Sequence, residues 1–420
     1  MPTSPESETA APPRRSRLPH PRWLLLFLVA LGLIGFARLP RATTMLGLGE
    51  PGLWFLDSYA ILAANDAVTA GLNPYDSIPL DILKRRHVYS DWWLGLRHLG
   101  VTRADNFIFG GSCVLGFLAV ALAGLKPRSL REALLYAAVA LSPPVLLGLN
   151  RANNDLIIFT LLGLPLLWLR DPVRPWLVAL FGAALVAATG LKYYPVVALA
   201  ALPLFVVPRR QGFWLAIGGA AAALLVLWSE RMSLARGVLR FPDSVYLFGS
   251  PVLWRDLGLP SGTMIALSTA IIALAAWWLV RRRFTLGLSK ADHGEGATGR
   301  WAFAVGALLL LGCFLAGTSF AYRWIFALWL CPWLWAQLRT PSRARAARIG
   351  IGLLLLSVWQ DGAYCLVLNS WMIPAPPWVE TAWRYATQPV NWALMALLAG
   401  WLLDATLSIT RARSDSTPSA

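Results

Sequence analysis

Long runs of apolar residues alternate with short polar connections along most of the chain. A bilayer core of about 30 Å requires roughly 20 apolar residues for each spanning helix, and repeated runs of this kind are typical of a polytopic membrane protein. We therefore predict an all-α fold, a membrane bundle of about 12 transmembrane helices. The predicted spans are 22–39, 106–125, 132–149, 154–169, 175–190, 193–208, 212–229, 262–280, 301–319, 324–338, 349–368 and 389–405.

These runs define one transmembrane domain with two polar ends. The predicted domain covers residues 22–405, and its first outer loop covers about 40–105. We interpret residues 1–21 as a disordered cytoplasmic tail, because Pro, Ser and Arg dominate it. Residues 406–420 form a second cytoplasmic tail. We expect the first span to stay uncleaved, because no small-residue cleavage site follows it.

The composition agrees with the apolar pattern. Hydrophobic residues make up 57% of the chain and charged residues 14%, whereas about a quarter of a soluble protein is charged. The net charge of +16 does not indicate a nucleic-acid partner, because the Arg and Lys residues stand at the ends of apolar runs. With both termini inside, every cytoplasmic connection is basic, as the positive-inside rule requires. We predict a multi-pass protein of the inner or plasma membrane.

The sequence gives no sign of a cofactor. It contains no P-loop, GxGxxG, HExxH or GxSxG motif in a suitable context. The four cysteines lie inside apolar runs without metal-ligand spacing, and the four histidines do not cluster. The outer carboxylates are few and scattered, so a divalent metal is not implied.

One segment of the first outer loop, Trp54–Tyr75, is too polar to span a membrane. Asp57 begins a helical pattern in it, on the same face as Ile61 and Ala64. Two interpretations of Asp57 remain open. Its carboxylate caps the helix, or it has a raised pKa and accepts a proton from a hydroxyl group. Gly71 then ends the helix before a turn.

A second helix is predicted in the same loop, at Leu80–Leu99. Trp92 and Trp93 stand there close to the basic residues Lys84 and Arg85. Aromatic and basic residues together are typical of a helix that lies at the level of the lipid headgroups. We therefore expect this helix to be interfacial.

Further polar residues fall at the outer ends of predicted spans. Asn150–Asp155 is either an ordinary turn with an Asx cap or a polar rim for sugar hydroxyls. Lys192 is either a snorkelling lysine or a cation for a lipid phosphate. Tyr322 and Arg323 either anchor the interface or bind a phosphate. Ionisable groups at membrane depth are by default functional.

At these residues the chain resembles the GT-C superfamily of membrane glycosyltransferases, in particular glycosyltransferase family 87, the polyprenol-phosphate-mannose-dependent mannosyltransferases. The resemblance covers roughly residues 50–340. It rests on Asp57-Ser58-Tyr59, Asn73-Pro74-Tyr75, Asn153-Asn154-Asp155, Leu191-Lys192-Tyr193-Tyr194-Pro195 and Tyr322-Arg323.

The resemblance implies an inverting hexosyltransferase that acts at the extracytoplasmic face. The donor would be a polyprenyl-phosphate sugar, with mannose the expected hexose, and the acceptor a lipid or glycan. Asp57 would be the catalytic base, and Lys192, Arg323 and Arg151 would bind the donor phosphate. The residues expected to contact sugar or acceptor are Tyr59, Asn73, Tyr75, Asn153, Asn154, Asp155, Tyr193 and Tyr322.

A transporter or a lipid or glycolipid flippase is the alternative function. Twelve spans with both termini inside suit such a protein equally well. Transporters usually show internal repeats and polar residues near the membrane midplane. No internal repeat is evident, and Asp361 is the only acidic residue well inside an apolar run. A non-catalytic assembly factor with the same fold is a third interpretation.

Overall fold

A computed structural model of the chain describes residues 20–48, 52–169, 174–206, 209–236, 246–288, 296–370 and 376–414. The structure is 79% helical over these described residues. The α-helices are α1 (Pro21–Arg38), α2 (Pro40–Met45), α3 (Leu56–Thr69), α4 (Asn106–Gly124), α5 (Leu130–Ala140), α6 (Pro143–Arg151), α7 (Asp155–Trp168), α8 (Pro175–Leu191), α9 (Leu202–Phe205), α10 (Arg209–Ser229), α11 (Arg231–Arg236), α12 (Pro251–Trp254), α13 (Ser261–Arg281), α14 (Gly296–Ala316), α15 (Cys331–Gln337), α16 (Pro341–Ser370) and α17 (Pro377–Ser414).

Short 3₁₀ helices and one small sheet complete the described structure. The 3₁₀ helices are Asp91–Leu99, Arg103–Asp105, Tyr194–Ala201, Arg255–Leu257 and Ala321–Trp329. Strands β1 (Leu247–Phe248) and β2 (Ser319–Phe320) pair antiparallel, with Leu247 opposite Phe320. The all-α prediction is therefore confirmed, and the protein is an apolar helical bundle of membrane type.

Among the described residues, seven helices are long and apolar enough to cross a membrane, so the predicted twelve spans are not confirmed. An eighth is obtained if α5 and α6, which meet at a bend of 51°, count as one span. The seven are Pro21–Arg38, Arg103–Gly124, Arg210–Ser229, Ser261–Arg281, Gly299–Ala316, Pro341–Leu368 and Trp378–Ser408.

The remaining predicted spans are helical but short. Pro143 and Pro144 separate α5 from α6, because proline lacks the N–H that a continuing helix would need. The predicted spans 154–169, 175–190 and 193–208 correspond to shorter apolar helices. The predicted span 324–338 is divided between a 3₁₀ helix and the seven-residue α15.

The core of the bundle lies around α14 and the 3₁₀ helix Ala321–Trp329, whose apolar side chains are buried almost completely. The helix α14 packs against two of the 3₁₀ helices, Tyr194–Ala201 and Ala321–Trp329. Phe159 of α7 stacks on Trp329, with 4.3 Å between ring centroids. These contacts pack α7, α14 and the two 3₁₀ helices against one another.

The predicted interfacial helix Leu80–Leu99 is wrong in extent. Only Asp91–Leu99 is helical, as a 3₁₀ helix. Trp93 is buried, and its Nε1 donates to the carbonyl oxygen of Leu191 at 2.9 Å. The segment thus packs onto the end of α8 rather than lying as a free helix. Of the predicted tail 1–21, residues 1–19 fall outside the described residues. The predicted tail 406–420, in contrast, is helical as far as Ser414, the last residue of α17.

Candidate functional site

The first turn of α3 is fixed against two other helices. Phe55, the residue before the helix, has a left-handed backbone conformation with φ of 61°. Its N–H donates to the carbonyl oxygen of Asn150 at 2.7 Å. Its ring lies against Gly110 of α4, where an added Cβ would stand 2.6 Å from the ring. A strained residue of this kind persists only where its surroundings determine it, often at functional sites.

This anchoring places Asp57 opposite the end of α6. Its Oδ1 accepts from Arg151 Nε at 3.0 Å and lies 3.4 Å from Arg85 Nη1. Its Oδ2 accepts from Asn153 Nδ2 at 2.6 Å. Arg85 is in turn held by Asp81, with 2.9 Å between Nε and Oδ2. Asp57 is therefore a buried carboxylate between two arginines.

Asp57 does not have the raised pKa that we predicted for a general base. Burial raises its pKa, but the charges of Arg151 and Arg85 and the hydrogen bonds from Asn153 and Arg151 lower it more. The pKa of Asp57 therefore lies below the ordinary value, and the group is ionised at neutral pH. Sequence reasoning missed this because the two arginines are far from Asp57 in the chain.

The cap interpretation of Asp57 is also wrong. Phe55 is the N-cap residue, and no side chain caps the helix. The end of α3, in contrast, agrees with the prediction. Gly71 has φ of 74°, its N–H donates to Val68, and the Leu72 N–H donates to Ala67. These two bonds form a Schellman motif, in which glycine takes the left-handed position without strain.

A second carboxylate lies at the start of α7. Asp155 is fully buried, and its Oδ1 accepts from Arg323 Nη1 at 2.9 Å, Lys192 Nζ at 2.5 Å and Tyr194 OH at 2.7 Å. Its other oxygen, Oδ2, has no hydrogen-bond partner. Three donors from two other segments thus converge on one carboxylate oxygen.

Asn153 joins the two carboxylate centres. Its Nδ2 donates to Asp57, while its Oδ1 accepts from Lys192 Nζ at 3.1 Å and from the Asp155 N–H at 3.0 Å. The last bond is an Asx turn directly before α7, whereas the N-cap residue of that helix, Asn154, makes no side-chain cap. We call the connected set the polar cluster: Asp57, Asp81, Arg85, Arg151, Asn153, Asn154, Asp155, Lys192 and Arg323.

Aromatic rings surround the cations of the polar cluster. Arg151 lies 5.6 Å from the ring centroid of Phe320, and Lys192 lies 5.3 Å from that of Tyr322. Arg323 stands 4.2 Å from the centroid of Tyr194. Such cation–π contacts stabilise partly desolvated cations. The sheet of β1 and β2 helps to hold these aromatic rings in place, because Phe320 is one of its residues.

Lys192 follows the last residue of α8, where burial and the charge of Arg323 lower the pKa of its ammonium group to about 8, although Asp155 opposes this shift. Its Nζ also donates to Asn154 Oδ1 at 2.6 Å, and the Nδ2 of Asn154 has no partner. Unpartnered buried polar atoms at Asn154 and Asp155 are available to a ligand.

Four of the predicted site residues lie outside the polar cluster. Tyr59 donates instead to the carbonyl oxygen of Leu80 at 3.4 Å, because it stands on a different face of α3 from Asp57. Asn73 forms an exposed Asx turn with Tyr75, whose hydroxyl donates to Asp91. The remaining one, Tyr193, is adjacent to Lys192 but does not join its contacts. The structure does bring Tyr322 to the cluster, through Lys192.

Sequence reasoning missed the roles of Arg85 and Tyr194. Arg85 was assigned with its neighbours to the lipid headgroup level, yet it reaches Asp57, Asp81 and the carbonyl oxygen of Leu56. Tyr194 belongs to the quoted Lys-Tyr-Tyr-Pro motif, and its hydroxyl bonds Asp155. No signal in the sequence distinguishes Tyr194 from Tyr193 as the residue that bonds this carboxylate.

Asp361 lies apart from the polar cluster, between α16 and α17. It lines a cavity of about 10 Å³, the size of a single water, together with Leu247, Glu380, Trp383, Arg384, Thr387, Gln388 and Asn391. Within the described ranges, no group of three or more His, Cys, Asp or Glu side chains is placed to hold a metal ion.

The polar cluster combines four cations with three carboxylates, an excess of one positive charge, in a largely buried space. Such a site favours an anionic ligand with several acceptor oxygens, such as a phosphate. No protein-family model matches the chain, and no curated protein matches it either. The chemistry of the cluster is therefore the principal guide to function.

Proposed function

We propose that the chain is a membrane-embedded glycosyltransferase with a GT-C-type fold. It transfers a hexose, mannose by resemblance, from a polyprenyl-phosphate donor to a lipid or glycan acceptor. The observation that carries the proposal is the polar cluster, in which Asp57 and Asp155 are surrounded by an excess of cations at one end of an apolar bundle. The phosphate of such a donor suits the cations of the polar cluster, and its lipid tail suits the apolar surface of the bundle.

The donor phosphate is assigned to the cations around Asp155. Lys192 and Arg323 both reach Asp155 Oδ1, and Arg151 stands beyond Asn153. Arginine binds phosphate with two parallel hydrogen bonds, which fixes the orientation of the group. Bound in this way, the phosphate is a better leaving group, because the charge that develops on it is neutralised in a preorganised site.

Asp57 is assigned as the base. The acceptor hydroxyl oxygen attacks the anomeric carbon, its proton passes to Asp57, and the bond between that carbon and the phosphate oxygen breaks. The electron pair of the broken bond stays on the phosphate, which leaves as the polyprenyl phosphate. Attack from the opposite side inverts the anomeric carbon. Asp57 suits this role because it is ionised and buried.

The lowered pKa of Asp57 suggests how donor binding prepares the base. In the described state Arg151 and Arg85 neutralise Asp57, which makes it a weak proton acceptor. A donor phosphate competes for the same guanidinium groups. Any contact that Arg151 makes with the phosphate is lost from Asp57. The pKa of the Asp57 carboxyl then rises, and the carboxylate becomes a stronger proton acceptor. The order of events would then be donor first and acceptor second.

We place the site at the extracytoplasmic face of the inner or plasma membrane, with both termini cytoplasmic. Termini on the same side need an even number of spans, such as the eight obtained when α5 and α6 count as one. The positive charges at the ends of the apolar runs support this orientation. The partners are then the lipid-linked donor, the acceptor and the surrounding lipids. The transfer step as written uses no metal or cofactor.

The experiment uses the purified chain in lipid nanodiscs with polyprenyl-phosphate mannose carrying labelled mannose. Its binding is measured first, because the acceptor need not be known. Arg323→Gln is expected to weaken donor binding at least tenfold, since a buried charge-assisted contact is worth about 1.5–3 kcal/mol. Arg103→Gln is the control, because Arg103 pairs with Asp66 outside the cluster. Equal donor affinity of Arg323→Gln and the unmodified chain would contradict the proposal.

A transporter or flippase remains the second candidate, and Asp361 is the observation that favours it. An acidic side chain buried between two long helices, next to the buried Gln388 and Asn391, is typical of ion-coupled transport. Liposomes that contain the protein distinguish the two functions. Movement of a labelled glycolipid across the bilayer, lost in Asp361→Asn and kept in Asp57→Asn, would favour the flippase.

A further inference from the structure

A cavity of about 420 Å³ lies between α4, α7 and α14, toward the end of the bundle away from the polar cluster. The helix α7 shows this separation. Asp155 begins it in the polar cluster, whereas Gly163, Leu166 and Leu167 line the cavity two to three turns later. The volume falls within the range of about 300–1,000 Å³ typical of ligand pockets.

Apart from Lys126, Arg128 and Tyr136, the side chains that line the cavity are apolar. Small residues line it on α4 and α14, among them Ala123, Gly124, Gly299 and Ala302. Its inner end is closed by Phe159, which stacks on Trp329. Apolar cavities take apolar ligands rather than water. A hydrocarbon chain is the ligand that fits such walls in a membrane.

The mouth of the cavity is cationic. Lys126 and Arg128 both line it, and both are exposed. The carboxylate of Glu132 accepts from the Arg128 N–H at 2.7 Å and from the Tyr136 hydroxyl at 2.6 Å, and it contributes one negative charge to this region. With Arg131 exposed on the next turn, the mouth keeps a positive excess.

The position of the mouth fits the lipid headgroup level. Trp168, the last residue of α7, is 66% exposed. Exposed tryptophan at a helix end is typical of the boundary between hydrocarbon and headgroups. The helix α4, which ends at Gly124, is one of the seven that can span a membrane, so Lys126 follows directly after a span.

We propose that this cavity binds an anionic phospholipid, with one acyl chain directed toward Phe159 and the head phosphate at Lys126 and Arg128. Basic residues at the mouth of a pocket between membrane helices bind anionic headgroups. The mouth of the cavity and the polar cluster lie toward opposite ends of α7, so this inference does not depend on the proposed transferase function.

The test is native mass spectrometry of the whole chain, released from nanodiscs that contain phosphatidylglycerol and phosphatidylcholine in equal amounts. We expect one retained phosphatidylglycerol per chain. The double variant Lys126→Gln, Arg128→Gln should reduce its retention about tenfold. Ala302→Phe should abolish it by filling the cavity with the mouth unchanged.

The control is the double variant Arg281→Gln, Arg282→Gln. It removes the same charge from the end of α13, where these arginines stack on Trp277 and Trp278 and do not line the cavity. It should retain the lipid. The proposal is overturned if both lipids are retained equally, if Lys126→Gln, Arg128→Gln keeps full retention, or if the control loses as much. If Ala302→Phe does not fold, the two double variants decide.

Discussion

Arg151 Nε lies 3.0 Å from Asp57 Oδ1, although 94 positions separate the two residues in the sequence. The contact exists because Phe55 binds the end of α6 directly, through the Asn150 carbonyl oxygen. It ties the outer loop to the turn that also carries Asn153. A single ion pair thus connects the proposed base with the proposed phosphate site.

Removal of Arg151 should change the pH dependence of transfer. In Arg151→Gln the charge that lowers the pKa of Asp57 most is lost, so this pKa rises. Asp57 must be ionised to accept a proton, and activity therefore falls at a higher pH on the acid side of the profile. The measurement is kcat/KM for donor between pH 4 and pH 8. An acid limb at the same pH as in the unmodified protein would contradict the assignment.

Asp155→Asn should destabilise the fold strongly. Asp155 is buried against Arg323 and Lys192, and loss of one partner of a buried ion pair costs about 3–5 kcal/mol. Asp66→Asn is the matched control, because Asp66 also pairs with an arginine but is partly exposed. We expect its effect to be about 1 kcal/mol or less. Urea unfolding in detergent measures both, and equal losses would contradict the described burial.

Lys192 gives opposite pH effects on donor binding and on stability. Its pKa of about 8 means that the ammonium charge is lost as the pH rises through 8, so donor affinity should fall there. Between about 8 and the ordinary value of 10.5, the unfolded chain binds a proton that the folded chain has released, so stability should rise.

Lys192→Arg is the control for both effects, because arginine stays charged throughout this range. Donor affinity and unfolding temperature are measured from pH 7 to pH 10.5. We expect both changes to disappear in Lys192→Arg. Identical profiles for the variant and the unmodified protein would show that Lys192 is not the titrating group.

Gly110 and its neighbour test how α4 positions the base. A Cβ at Gly110 would stand 2.6 Å from the Phe55 ring, whereas one at Gly111 would meet nothing within 4 Å. Gly110→Ala should therefore displace Phe55 and Asp57, with a loss of about 1–3 kcal/mol and lower transfer activity. Gly111→Ala should be neutral or up to about 1 kcal/mol more stable. Equal effects of the two substitutions would show that the Phe55 contact is unimportant.

The helical class of the fold could be predicted because an apolar run needs only local hydrogen bonds to become a helix in a membrane. Apolar length alone does not decide the number of spans. Pro143 and Pro144 end one helix and begin another at a sharp bend, and the runs around Asp155 and Pro175 form helices too short to qualify as spans. Hydropathy records apolar length but not where a chain turns inside the bundle.

The candidate site could be predicted only in part. The sequence placed Asp57, Lys192 and Arg323 on one side of the membrane, and the structure joins them through Asn153 and Asp155. It could not indicate the second partner of Asp57, because Arg85 reaches it from an irregular segment stabilised by Asp81. The direction of the pKa shift of Asp57 could not be predicted for the same reason. It depends on the charges of Arg151 and Arg85, which are both distant from Asp57 in the sequence.

The base assignment of Asp57 is tested most directly by labelled mannose transfer from polyprenyl-phosphate mannose in the presence of a native membrane extract that supplies the acceptor. Asp57→Asn keeps the size of the side chain but removes the proton acceptor. We predict at least a hundredfold lower transfer, in keeping with the ~10²–10⁴-fold contribution of general bases, while donor still binds. Asp66→Asn on the same helix should keep its activity. Full transfer by correctly folded Asp57→Asn would contradict the account.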